Sequence, residues 1–67
     1  MNKQAEMEKL FDAVVEYKQK PDDPFLLQSV REQRNKCRII WPQETIRTCK
    51  TALIYFENHQ NGSGARA

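Results

Sequence analysis

Glycine and histidine are scarce in this chain. Both glycines of the 67 residues lie in the last six positions, and His59 is the only histidine. No glycine-rich phosphate-binding loop can therefore be present in the main part of the chain. A chain this short is also expected to lack the pocket of about 300 Å³ or more that small molecules usually occupy. We predict a protein that is not an enzyme, with no catalytic residues, no cofactor and no small-molecule substrate.

Cysteine is scarce as well, with Cys37 and Cys49 the only two. Zinc would have three candidate ligands here, these cysteines and His59, without a close C-x-x-C or H-x-x-x-H pair. Nothing resembles a secretory leader, so an oxidising compartment is not indicated. We predict two free thiols that pack as small apolar groups and no metal site. A disulfide between the two helices that carry them is the alternative.

Long apolar runs are missing. The longest, "ALIYF", covers five residues at 52–56, whereas a membrane span needs about 20. Lipidation signals are missing from both ends. We expect no membrane association and a cytoplasmic location, or a nuclear one in a eukaryote.

What the chain does contain is enough apolar sequence for one small domain. Hydrophobic residues make up 39% and charged residues 30%, a balance typical of folded proteins. The charge is uneven. Residues 1–20 hold four basic and four acidic residues, a net charge of zero, whereas residues 31–50 hold six basic and two acidic residues, a net +4. The middle of the chain is therefore its basic part.

Three segments show helical periodicity, separated by prolines. The predicted helices cover about 2–19, 24–38 and 42–60, with the second ending anywhere from Lys36 to Ile40. Asp23 is a suitable N-cap for the second helix, and Pro24 suits its first turn. We predict an all-α fold, a small antiparallel three-helix bundle in residues 1–61, followed by a flexible tail at 62–67 that is either native or a cloning remnant.

The core is predicted from apolar residues three and four apart. The stripes are Met7, Leu10, Phe11, Val14 and Tyr17 in the first helix; Leu26, Val30, Cys37 and Ile40 in the second; and Ile46, Cys49, Leu53 and Phe56 in the third, with Ala52 beside them.

A basic stripe and several apolar residues outside these stripes indicate a binding surface. Arg31, Arg34 and Arg38 share one face of the second helix, either as a solvated surface or as a contact for carboxylates or phosphates. Ile54 and Tyr55 make the third helix apolar on more than one side. Trp41 is either a plug at the end of the core or an interface anchor. We predict a protein-protein interaction module that regulates or bridges a partner, dimeric, with these six residues as its contact.

DNA binding is the alternative function. The basic charge surrounds the second and third helices, where a helix-turn-helix regulator makes its contacts. Arg47, Thr48, Lys50 and Arg38 would then face the duplex. The connection between the helices is shorter than the usual three or four residues, and Glu44 lies near the end that would enter the groove. Both interpretations remain open at this level.

Overall fold

The computed structural model describes the backbone of residues 2–64 and the side chains of residues 2–59. It contains three helices: α1 at Lys3–Gln19, α2 at Pro24–Ile40 and α3 at Pro42–Gly64. Within residues 2–64 there is no β-strand. The predicted all-α fold and the positions of the three helices are therefore confirmed.

The helix boundaries follow from local capping chemistry. Asn2 Oδ1 accepts a hydrogen bond from Ala5 N at 3.2 Å, and Asp23 Oδ1 accepts one from Phe25 N at 2.9 Å. Each side chain satisfies an amide that the first helical turn leaves unpaired. The predicted N-cap at Asp23, with Pro24 opening α2, is confirmed.

A single residue, Trp41, connects α2 to α3. Its amide donates to the Cys37 carbonyl at 2.6 Å, and its own carbonyl accepts from Thr45 N at 3.0 Å. The residue before a proline avoids the α region, which agrees with φ −133° and ψ 73° at Trp41. α2 therefore runs its full length to Ile40 before the chain reverses.

Side-chain contacts fix the directions of the helices. Lys3 at the start of α1 pairs with Glu44 at the start of α3, with Nζ and Oε2 3.4 Å apart, and Phe11 contacts Tyr55 further along. Glu6 pairs with Lys36 near the end of α2 at 3.1 Å. The bundle therefore runs up, down and up: α2 is antiparallel to both neighbours, and α1 and α3 are parallel to each other.

The core is narrow and contains one polar residue. Among the described side chains its buried members are Leu10, Val14, Val30, Cys37, Ala52 and Thr45. Met7, Phe11 and Tyr17 pack against it as partly buried residues, so the predicted stripe of α1 is confirmed. The predicted stripe of α2 is confirmed at Val30 and Cys37 and wrong at Ile40, which is exposed at the end of the helix.

The predicted core stripe of α3 is wrong at two positions. Ile46 is 51% exposed and Leu53 37% exposed, whereas Thr45 and Ala52 are buried. Thr45 and Ala52 are small and seven residues apart, so the side of α3 that they share can pack close to the neighbouring helices. This rotation of α3 turns Ile46 and Leu53 toward the surface between α2 and α3.

The predicted flexible tail lies at the edge of what is described. α3 extends to Gly64, past the predicted helix end near residue 60, and Ala65–Ala67 lie outside the described residues. No helix in the described part of the chain is long and apolar enough to cross a membrane.

Candidate partner-binding groove

A groove of about 470 Å³ runs between α2 and α3. Ile46 and Leu53 of α3 supply its apolar surface, and Thr45 and Cys49 also line it. Its polar rim consists of three cations, Arg34 and Arg38 from α2 and Lys50 from α3. The groove is therefore apolar along its length and positively charged on both walls.

The cations of this groove have no salt-bridge partner among the described side chains. The salt bridges there are Lys3–Glu44 and Lys36–Glu6, and neither involves a groove residue. Arg31 lies one turn from Arg34 on the same side of α2 and is also exposed. No acidic residue lines this groove, so its charge is open to a partner of opposite sign.

Thr45 has a hydroxyl group without a partner. Its side chain is 2% exposed, and its Oγ1 has no hydrogen-bond partner among the described residues. A buried hydroxyl left unpaired costs about 1–3 kcal/mol. Thr45 also lines the groove, so a group that enters the groove can reach this hydroxyl once the side chains covering it move aside.

Both cysteines remain neutral thiols in this environment. Burial raises the pKa of the Cys37 thiol above its usual range, and the nearby Glu6 raises it further. Burial also raises the pKa of Cys49, although the Arg34 guanidinium offsets part of that rise. Both are free cysteines, and a protonated thiol is a poor nucleophile. They therefore contribute packing surface rather than reactivity.

Two further grooves flank α1 and α3. One, of about 330 Å³, contains Glu8 and Arg47, and the other, of about 430 Å³, contains Asp12 and Glu16. All three grooves exceed about 300 Å³ but are open to solvent, so they do not test the expectation that the chain lacks a small-molecule pocket. Of the three, the α2–α3 groove is the one whose charged residues are all basic.

The predicted contact residues lie on different sides of the bundle. Arg34 and Arg38 line the α2–α3 groove. Tyr55 faces α1, where its ring meets Phe11 edge-on with centroids 5.3 Å apart and stacks on His59 at 3.9 Å. Trp41 packs against the core at the α2–α3 corner, as the plug interpretation predicts. Ile54 is exposed and lies on the outward side of α3, next to Lys50 on the helix.

The residues predicted for DNA contact are likewise divided. Arg38 and Lys50 line the α2–α3 groove. Arg47 and Thr48 line the groove between α1 and α3, where Thr48 Oγ1 donates to Met7 Sδ at 3.3 Å. Arg47 and Lys50 are neighbours on the surface of α3, but Thr48 is turned toward α1, and the connection of one residue, Trp41, is shorter than a helix-turn-helix turn.

The sequence analysis missed Ile46, Leu53, Thr45 and Cys49 as groove residues, because it assigned the apolar ones to the core. The polar side of α3 offered a signal. Five of its polar residues are centred opposite Thr45 and Ala52 on a helical wheel with 100° per residue; they are Arg47, Lys50, Thr51, Glu57 and Asn58. Giving these five residues more weight favours the observed rotation over the predicted one.

No group of three or more histidine, cysteine, aspartate or glutamate side chains in the described part of the chain is placed to hold a metal ion. His59 lies far along α3, with Nδ1 2.9 Å from the Tyr55 carbonyl oxygen.

Comparison with known proteins yields no relative: no protein-family model, curated protein or solved structure matches this chain.

Proposed function

We propose that this chain is a non-enzymatic helical module that regulates or bridges a partner protein, and that the α2–α3 groove is its contact surface. The observation that supports this most strongly is the pair of exposed apolar residues, Ile46 and Leu53, between cations on both walls. In interfaces of this composition the apolar centre supplies affinity. The charged rim supplies steering and specificity.

The small core gives a second reason to expect a partner. Five apolar side chains are buried among those described, and domains near this length are stabilised only marginally by their own packing. A partner that covers Ile46 and Leu53 would add buried apolar area to the folded state and so raise its stability by mass action.

Ile54 extends the proposed contact beyond the groove. It lies beside Lys50 on α3 and is 57% exposed, so a partner lying over Leu53 and Lys50 reaches it. The predicted homodimer would form by self-association through this outer side of α3. Sedimentation velocity of wild type and Ile54→Asp tests it, since a dimer that uses Ile54 dissociates in the variant.

The test of the groove compares two identical substitutions. Ile46→Asp places a charge in the groove, and Ile39→Asp places the same charge on the outer side of α2, where Ile39 is 81% exposed. We expect affinity capture from source-cell extract to recover a partner with wild type and Ile39→Asp but not with Ile46→Asp. Circular dichroism verifies that both variants fold. Equal recovery by all three proteins would exclude the groove as the contact.

A further inference from the structure

We propose that the partner bound in the α2–α3 groove is an acidic amphipathic α-helix, which lies along the groove as a fourth helix of the bundle. This rests on the proposed function and specifies the chemistry of the partner. Two antiparallel helices form the kind of groove that an amphipathic helix occupies in helix-in-groove recognition and in four-helix bundles.

The apolar part of the groove has the length that a short helix can cover. Ile46 and Leu53 are seven residues apart on α3, which is about 10.5 Å at 1.5 Å per residue. Two turns of a partner helix span the same distance, so its apolar residues at i, i+3 or i+4, and i+7 reach both side chains. Three to four turns are enough to cover the groove and its rim.

The cations of the groove determine which charge a partner must carry to bind there. Arg31, Arg34 and Arg38 repeat every turn along α2, so carboxylates at i, i+3 or i+4, and i+7 of a neighbouring helix can each meet a guanidinium. Arginine binds carboxylates through two parallel hydrogen bonds, and Lys50 adds a cation on the opposite wall. The same groove on a second copy carries the same charge, so the groove does not suit a symmetric contact with itself.

Thr45 supplies an independent observation. Its hydroxyl is buried, unpartnered and part of the groove lining. A carboxylate or amide side chain that enters the groove near the α2–α3 corner, and displaces the side chains that cover Thr45, can accept this hydrogen bond. Thr45 therefore favours a partner with polar side chains beside its apolar ones, as an amphipathic acidic helix has.

Nucleic acid fits the same groove less well. Phosphate contacts explain the arginines, but the backbone of a duplex offers no apolar group to cover Ile46 and Leu53. The chain itself contains one acidic helical face, since Glu8, Asp12 and Glu16 repeat every four residues on α1. A second copy presenting that face is therefore the competing occupant, and the test includes it.

The test is a selection from displayed peptides. A phage library of 18-residue helical peptides, with leucine fixed at i, i+3 and i+7 and with Glu, Gln, Lys and Ala varied between them, is panned on the wild-type protein. We expect enriched peptides to carry glutamate one turn apart beside the leucines. The double substitution Arg34→Ala/Arg38→Ala should lower the affinity of the protein for a synthetic enriched peptide by at least about tenfold. Lys9→Ala with Lys18→Ala, which removes the same charge from exposed positions of α1, should leave its affinity unchanged.

The remaining outcomes separate this inference from the proposed function. The enriched peptides could lack excess glutamate and still fail to bind Ile46→Asp. That result would overturn the inference that the partner is acidic, while the groove would remain an interaction site. Enriched peptides that bind wild type and Ile46→Asp equally would contradict both. Self-association of wild type that is lost in both Arg34→Ala/Arg38→Ala and Glu8→Lys/Asp12→Lys would make a second copy the occupant and overturn the inference of a separate partner.

Discussion

Replacing Thr45 by valine should stabilise the fold and weaken partner binding at the same time. Valine has nearly the same shape as threonine and the same branching at Cβ, so the substitution removes the hydroxyl and leaves the packing in place. Thr45 is 2% exposed and its Oγ1 has no partner among the described residues. The hydroxyl therefore carries a desolvation cost that the folded chain does not recover.

The expected gain is about 1 kcal/mol, the lower end of the 1–3 kcal/mol that an unpaired buried group costs. For a domain of this size that corresponds to a rise in melting temperature of about 4–8 °C. If a partner side chain accepts a hydrogen bond from Thr45, the same substitution should weaken binding roughly two- to tenfold, the value of one such bond.

Urea denaturation followed by the fluorescence of Trp41, the only tryptophan, measures the first effect. Fluorescence anisotropy of a labelled partner peptide measures the loss of binding affinity. Thr51→Val is the matched control: Thr51 is exposed and its hydroxyl already donates to the Arg47 carbonyl at 2.9 Å, so its removal should change the free energy of unfolding by less than about 0.5 kcal/mol. A clear loss of stability in Thr45→Val would show that the hydroxyl is satisfied within the fold, and the argument from Thr45 to a ligand would fail.

Three further predictions concern stability and nucleic acid. Asp23→Ala removes the N-cap of α2 and should lower the free energy of unfolding by about 0.5–2 kcal/mol in urea, whereas Asp22→Ala beside it should have little effect. Hydrogen bonding from Gln33, with Lys36 adding to it, holds the pKa of Glu6 below its ordinary value of 4.5. The stability this provides is complete above 4.5 and is lost as the pH falls through the lowered pKa, so Glu6→Gln should flatten the acid limb of a plot of urea midpoint against pH; an unchanged limb would refute it. In anisotropy with a labelled random duplex at about 50 and 200 mM salt, we expect no saturable binding, since the connection of one residue at Trp41 is shorter than a helix-turn-helix turn. Saturable binding that collapses at the higher salt would restore the DNA-binding alternative.

Local sequence signals were sufficient for the three helices and for where each begins. Prolines and capping residues act within one turn, so Asp23, Pro24 and Pro42 marked boundaries that the structure confirms. The stripe of α1 was also readable, because its large apolar residues all lie on one side and no other side competes for burial. The fold class followed from these three segments.

The candidate site was only partly predictable. The arginine stripe of α2 is a property of one helix, and its three members do share a face. The apolar half of the groove depends on how α3 is rotated, and the large apolar residues of α3 cover too many directions to decide that rotation. Ile46 and Leu53 were therefore assigned to the core. Tyr55 was grouped with the arginines of α2, although Tyr55 faces α1 and those arginines border the α2–α3 groove.

The sequence by itself determined three helices, where each begins, the corner at Trp41 and the basic side of α2, because each depends on residues close together in the chain. Only the tertiary structure decided which face of α3 is buried, since that choice depends on how closely three helices can approach. Packing placed the small residues Thr45 and Ala52 in the core. The same rotation brought Ile46 and Leu53 beside Arg34 and Arg38 and so formed the groove.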